Sequence, residues 1–204
     1  MKRFWKDVTV EPGNSLALDG RPVRTPGRAL LALPTPALAE AVAEEWRAVE
    51  GEIDPRAMPL TGLANAAIDR VEPARESFAA GLARYGESDL LYYRAETPEP
   101  LIARQQAAWD PLLDWARRRY DVHFETTAGI VHRPQPPATL ARLSEAVAAL
   151  ALLEGAADAE TVWRAAQVDE AWQAENWGED ELATRAREAH HTDFLAGARF
   201  LSFL

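Results

Sequence analysis

Glu188, His190, His191 and Asp193 are the side chains of this chain best suited to metal chemistry. Glu188 and His191 are three residues apart, a spacing at which a carboxylate and an imidazole share an ion in helical bundles. Adjacent histidines on a helix, however, point about 100 degrees apart, and no second Glu-x-x-His completes a two-metal site. A metal-dependent hydrolase built on these four residues is therefore the alternative reading, and a solvated helix face the plainer one. Other chemistries find less support. There is no cysteine, which removes thiolate ligands and thiol nucleophiles, and no serine elbow, dinucleotide fingerprint or phosphate loop occurs. His123 and His132 are isolated, and the pairs Asp69 with Glu72 and Glu87 with Asp89 suit caps and wet faces better than acid–base work. The run Arg117, Arg118, Arg119 reads as a helix C-terminus stabilised by its dipole. The expectation is a chain with no catalytic residue, no metal and no cofactor.

What the sequence offers instead is indole beside carboxylate. In VDEAWQAENWGED, residues 168–180, a helix is expected to end at Gly178. Trp163, Glu170 and Trp177 recur at intervals of seven, so on one continuous helix they fall within about 20 degrees of a line. Burying a charge in apolar company is expensive unless it is paired. Glu170 should thus have an internal Arg, indole N–H or amide partner, or take one from another molecule. Aromatic and acidic side chains together are the materials of an interface.

Composition limits the partners. The chain has 204 residues, 48% of them hydrophobic, enough for one large domain or two small ones. A net charge of −10 disfavours nucleic acid and anionic membranes, both of which need clustered Lys and Arg, and favours a basic partner surface. No apolar run approaches the roughly 20 residues of a membrane span, and the start MKRFWKDV has no secretory or transit pattern. A cytoplasmic protein, monomeric when free, is expected.

The elements that must position these residues divide the chain in two. Residues 4–33 alternate apolar and turn segments, with a hairpin turn at Asp19-Gly20 and edge strands at Pro22 and Pro26. RALLAL, residues 28–33, is expected to be the last of these strands. A helix follows, with Thr35 as its cap and Pro36 at its first position. Further on, Leu60, Leu63, Ala64, Ala67, Ile68 and Val71 make one buried helical stripe that Pro73 ends. Phe78, Leu82 and Tyr85 share one side of the next helix, and Asp110-Pro111 interrupts a long helix from Pro100 to Tyr120, with Asp110 as a cap. FETTAGIVH reads as a short strand or extended loop, helix resumes near Thr139, and breaks fall near Gly155 and Gly178. The last helix should turn Leu182, Ala186, Ala189, Phe194, Gly197, Leu201 and Leu204 to the core. The fold class is α+β: a small N-terminal domain of antiparallel strands and helix, residues 1–60, and a larger all-helical domain, residues 61–204.

Seven segments in order, RFWKDV, LDGRPVRTP, LPTPALAEAVAEEW, MPLTGLANAAID, YGESDLLYYRA, QQAAWDPLLDW and DEAWQAENWGE, resemble a bacterial member of the F-type ATP synthase assembly chaperones specific for the α subunit. The resemblance covers most of the chain. It implies a protein that is not an enzyme, needs no cofactor, and holds the unassembled α subunit until β subunits replace it. It also implies an N-terminal α+β domain before a helical one. The family's acidic position ahead of Gln and Trp-Gly falls on Glu170, and the expected contact set is Glu170, Trp163, Gln173, Trp177 and Glu179. Trp46, Trp109, Asp110 and Gly178 also stand at motif positions; for these, and for Gln173 and Trp177, core packing is the plainer reading. Between Val147 and Thr161 the family usually carries a longer stretch with an extra helix or part of one, so this chain has either a natural deletion or missing residues there.

Overall fold

The computed structural model describes residues 2–145 and 158–204. Val8–Glu11 (β1), Ser15–Leu18 (β2) and Arg21–Pro22 (β3) form an antiparallel sheet in chain order. The β2–β3 turn uses Asp19 and Gly20 at φ 49° and 75°, the left-handed geometry expected of this pair. Asp19 also accepts the backbone N–H groups of Lys6 and Asp7, which lowers its pKa below the usual carboxylate value. Pro22, with no N–H to donate, lies on the edge strand. RALLAL does not become a regular strand. It touches the sheet through isolated bridges, Ser15 with Ala32 and Arg24 with Leu30, and the Leu31 carbonyl accepts from Leu16 N while the Leu31 N–H donates to the Val23 carbonyl.

Helix α1, Pro36–Ala48, starts as its sequence dictates. Thr35 Oγ1 accepts from Leu38 N at 3.2 Å, and Pro36 occupies the first turn. Its inner face buries Leu38, Ala39, Val42 and Ala43 against β2 and Trp5. Helix α2, Pro59–Ala66, is capped from α1: Glu45 accepts from Leu60 N, Thr61 N and Thr61 Oγ1. Leu60 and Ala64 are buried, whereas Leu63 is 36% exposed, so the stripe read from the sequence is narrower in the fold. Pro73 does not end the helical run. A wide π turn, Ala67–Val71, and a tight turn, Glu72–Ala74, carry the chain into α3, Arg75–Ala83. Proline is tolerated because it sits in the first turn of a new helical segment, where no donor is required. Asp69 on the π turn accepts from Thr25 Oγ1 at 2.6 Å and Gly27 N at 2.7 Å. A Cβ at Gly27 would lie 2.6 Å from that carboxylate, so a larger residue there would push Asp69 off these bonds.

The second half is not purely helical. Tyr93–Arg94 (β4) pairs in parallel with Thr127–Ala128 (β5), the short strand read in FETTAGIVH. Between them runs α4, Glu99–Tyr120, unbroken through Pro111. Asp110 is no cap; it pairs with Arg94 at 2.6 Å. Buried Gln105, Trp109 and Leu113, four residues apart, hold the helix together across the proline. Left-handed Asp121 ends α4 after its three arginines. Then come α5, Pro137–Glu145, α6, Ala159–Ala166, α7, Val168–Trp177, and α8, Glu181–Leu201. The break near Gly155 and most of the short stretch from Val147 lie outside the described residues. In α8 the expected core face is only half realised. Leu182 is 76% exposed, Leu204 is 57% exposed and Ala186 and Ala189 face solvent, while Phe200 and Phe203 pack on the first core.

Two compact units result: Met1–Arg75 with Thr192–Leu204, and Glu76–His191. Their limits differ from residue 60 because α2 belongs with α1 and the end of α8 returns to the first unit. Among the described residues, the first unit has one large core, centred on Leu16, Leu31, Leu38, Val42 and Leu60, and the second has two small clusters, around Tyr92 with Phe124 and around Trp109.

Candidate functional site

Within the second unit, α4 is the element on which α6 and α7 are mounted. Trp109 is 1% exposed and donates from Nε1 to the Ala165 carbonyl at 2.6 Å, which seats the end of α6. Val168 and Ala165 complete that cluster. Gln105, 2% exposed, accepts from Ala95 N at 2.8 Å and donates to Asp169 Oδ1 at 2.7 Å. Arg104 grips Glu175 with both guanidinium nitrogens, at 2.8 and 2.6 Å, and lies over the Trp172 ring. This fork pulls the Glu175 pKa below the usual carboxylate value. One face of α7 is thus fixed to α4 by apolar contact, hydrogen bond and ion pair together.

The opposite face of α7 is left bare. Glu170 and Gln173 are exposed, Trp177 is 77% exposed, and none of the three has a hydrogen-bond or ion-pair partner among the described residues. Gly178, at φ 89°, ends the helix and turns the chain toward α8, whose first turn Asp180 caps through Ala183 N at 2.9 Å. Glu179 accepts from Arg187 at 2.8 Å, and this bond lowers its pKa. Glu170, Gln173, Trp177 and Glu179 line one hollow of about 430 Å³. Core packing, the plainer sequence reading for Trp177, does not hold.

Trp163 does not join them. Gln167 leaves helical geometry at φ −108°, ψ 13°, and its N–H reaches only three residues back, to Arg164. The Trp109 indole holds the Ala165 carbonyl at this same break. Trp163 and Glu170 therefore sit on different helices, and the seven-residue line is broken. Trp163 stacks on His191 at 4.9 Å and lines a separate hollow of about 870 Å³ with Ala108, Leu112 and Arg104; Glu179 reaches both hollows.

The histidines find other employment. His191 Nε2 lies 3.0 Å from Glu160 Oε1, His190 is exposed, and among the described residues no three His, Asp or Glu side chains group closely enough to hold a metal. Sequence reasoning missed Leu90, Ile130 and Val131, exposed by 47%, 95% and 79%. The only signal was Gly129 ahead of two β-branched residues in a proline-rich stretch. No helix of the described residues is long and apolar enough to cross a membrane.

A family model described as ATP12 chaperone protein matches residues 2–117. The crystal structure of Atp12 from Paracoccus denitrificans is 40% identical, with a TM-score of 0.92 over 99% of this chain and 97% of that one. A mutant of the same Atp12p, with lysine in place of one aspartate, gives 39% and 0.92 over the same shares. The Atu1473 protein from Agrobacterium tumefaciens, a putative chaperone, gives 37% and 0.91, over 99% and 85%. With the family model spanning more than half of the chain and the structural likeness nearly all of it, this chain belongs to the ATP12 chaperone family.

Proposed function

We propose that this protein is a cytoplasmic, non-enzymatic assembly chaperone that binds the unassembled α subunit of the F-type ATP synthase head and shields its subunit interface until β subunits replace it. Family membership supports the assembly-chaperone part. The observation that carries the contact is the bare face of α7: an unpaired carboxylate, Glu170, shares a hollow with the exposed indole of Trp177. A protein of net charge −10 gains from opposing arginines that would otherwise meet β, and an exposed indole covers apolar surface on the partner. Glu170, Gln173, Trp177 and Glu179 are the proposed contacts, with Trp163 on the neighbouring hollow. Nothing in this mechanism requires a cofactor, and no nucleotide-binding motif is present to drive a cycle. The chaperone should therefore suppress aggregation of isolated α subunit without ATP. Light scattering of α diluted from denaturant, with and without the protein, tests this; suppression that depends on ATP would contradict it.

A further inference from the structure

Trp177 and Gln173 also line a second hollow, of about 470 Å³, on the other side of the C-terminal half of α7. Leu90, Leu101, Ile130 and Trp172 line it as well, Leu90 and Ile130 exposed and the other two partly buried. Ile130 and Val131 are largely exposed, yet their loop is tied at both ends. Gly129 N donates to the Arg94 carbonyl at 2.9 Å, and His132 Nδ1 lies 3.2 Å from the Tyr93 hydroxyl. Gly129 adopts φ 81°, and a Cβ there would come within 3.2 Å of Glu96, so the approach to Ile130 is a glycine turn by necessity. Two β-branched side chains presented to water on a tethered loop are pre-organised for contact: little ordering is left to oppose binding.

The unpaired charges around this surface have one sign. Arg94 is paired with Asp110, Arg187 with Glu179, and Asp169 is bonded to Gln105. Of the charged groups lining the two hollows, Glu96 and Glu170 have no partner among the described residues, and both are carboxylates. We infer that the loop Gly129–Val131, with Leu90 and Trp177, is an apolar docking cleft for one protein segment, whose apolar anchor residue is flanked by Lys or Arg that meet Glu96 and Glu170. Given the reading above, that segment belongs to the α subunit. The cleft supplies apolar capture, and the two carboxylates fix the register of the segment and exclude acidic ones.

The test is equilibrium binding of isolated α subunit to the full-length protein and three variants, at low and at high salt. Ile130→Asp should weaken binding at least tenfold at both salts. Glu96→Lys should weaken it several-fold at low salt and by less at high salt, as screening removes the repulsion. Phe78→Asp, at an exposed apolar residue of α3 that does not line the cleft, should bind as the parent does. Near-parental affinity for Ile130→Asp and Glu96→Lys while the parent binds α would overturn the cleft and leave the chaperone reading standing. A parent that fails to bind α would remove both. Sedimentation of the parent alone gives the remaining outcome: a dimer that Ile130→Asp dissolves would assign the cleft to a second copy of this chain and overturn the inference.

Discussion

The two faces of α7 are built from the same ten residues and meet opposite fates. On the face toward α4, Val168 is buried, Asp169 is bonded to buried Gln105, Trp172 lies under Arg104 and Glu175 is held by a two-pronged ion pair. On the other, Glu170, Gln173 and Trp177 have no described partner. Indole and carboxylate occur on both faces, so composition does not separate them; what separates them is whether α4 supplies a complement. Removing a residue from the closed face should cost stability, and removing one from the open face should cost binding.

Trp109→Ala is the largest expected break in that comparison. It deletes the centre of the closed side and its bond to Ala165, and should destabilise by about 3–5 kcal/mol in urea unfolding, as buried tryptophan truncations do. An unchanged midpoint would mean that α6 and α7 are held by something else. Gln105→Leu comes next. It leaves the Ala95 N–H and the Asp169 carboxylate without their shared partner and should cost roughly 1–3 kcal/mol. Calorimetry should show the loss, together with little change in affinity for α subunit.

How far the sequence showed these faces can be judged from single residues. Thr35, Pro36 and the Asp19-Gly20 turn acted as written, because caps and tight turns are decided by a few neighbouring atoms. Glu170 and Trp177 were singled out, although through a line with Trp163 that Gln167 breaks. That break involves Trp109, far away in sequence, and a helical period cannot register such a contact. Asp110 misled for a related reason: read locally it caps, whereas in the fold its charge answers Arg94 across to β4. For Ile130 the sequence carries only the faint signal of Gly129, since exposure of an apolar side chain in a loop follows from where the rest of the chain fails to cover it.

A smaller effect is read through pH. The Glu175 pKa is lowered by Arg104, and that of Glu179 by Arg187, so their folded values lie below their unfolded ones. The stability they contribute is complete above the ordinary carboxylate range near pH 4 and is lost as pH falls through it toward the folded values. Half-buried Asp89 runs the other way: desolvation raises its pKa, so its proton is bound more readily in the fold and acidification favours the folded state through it. The urea midpoint should therefore hold from neutral pH down to about 5 and fall modestly as pH drops through about 4, and Arg104→Ala should flatten that fall. Exposed pairs contribute little each. An Arg104→Ala profile parallel to the parent would show that the fork adds nothing.

The open face is tested most directly by Glu170→Lys, the substitution with the smallest expected effect on folding. With no internal partner to lose, the variant should melt within about 2 °C of the parent. Its cation would stand where arginines of the α subunit are proposed to dock, so affinity for isolated α should fall at least tenfold at low salt, where charge is least screened. A Glu170→Lys protein that stays folded and binds α at low salt as tightly as the parent would contradict the account.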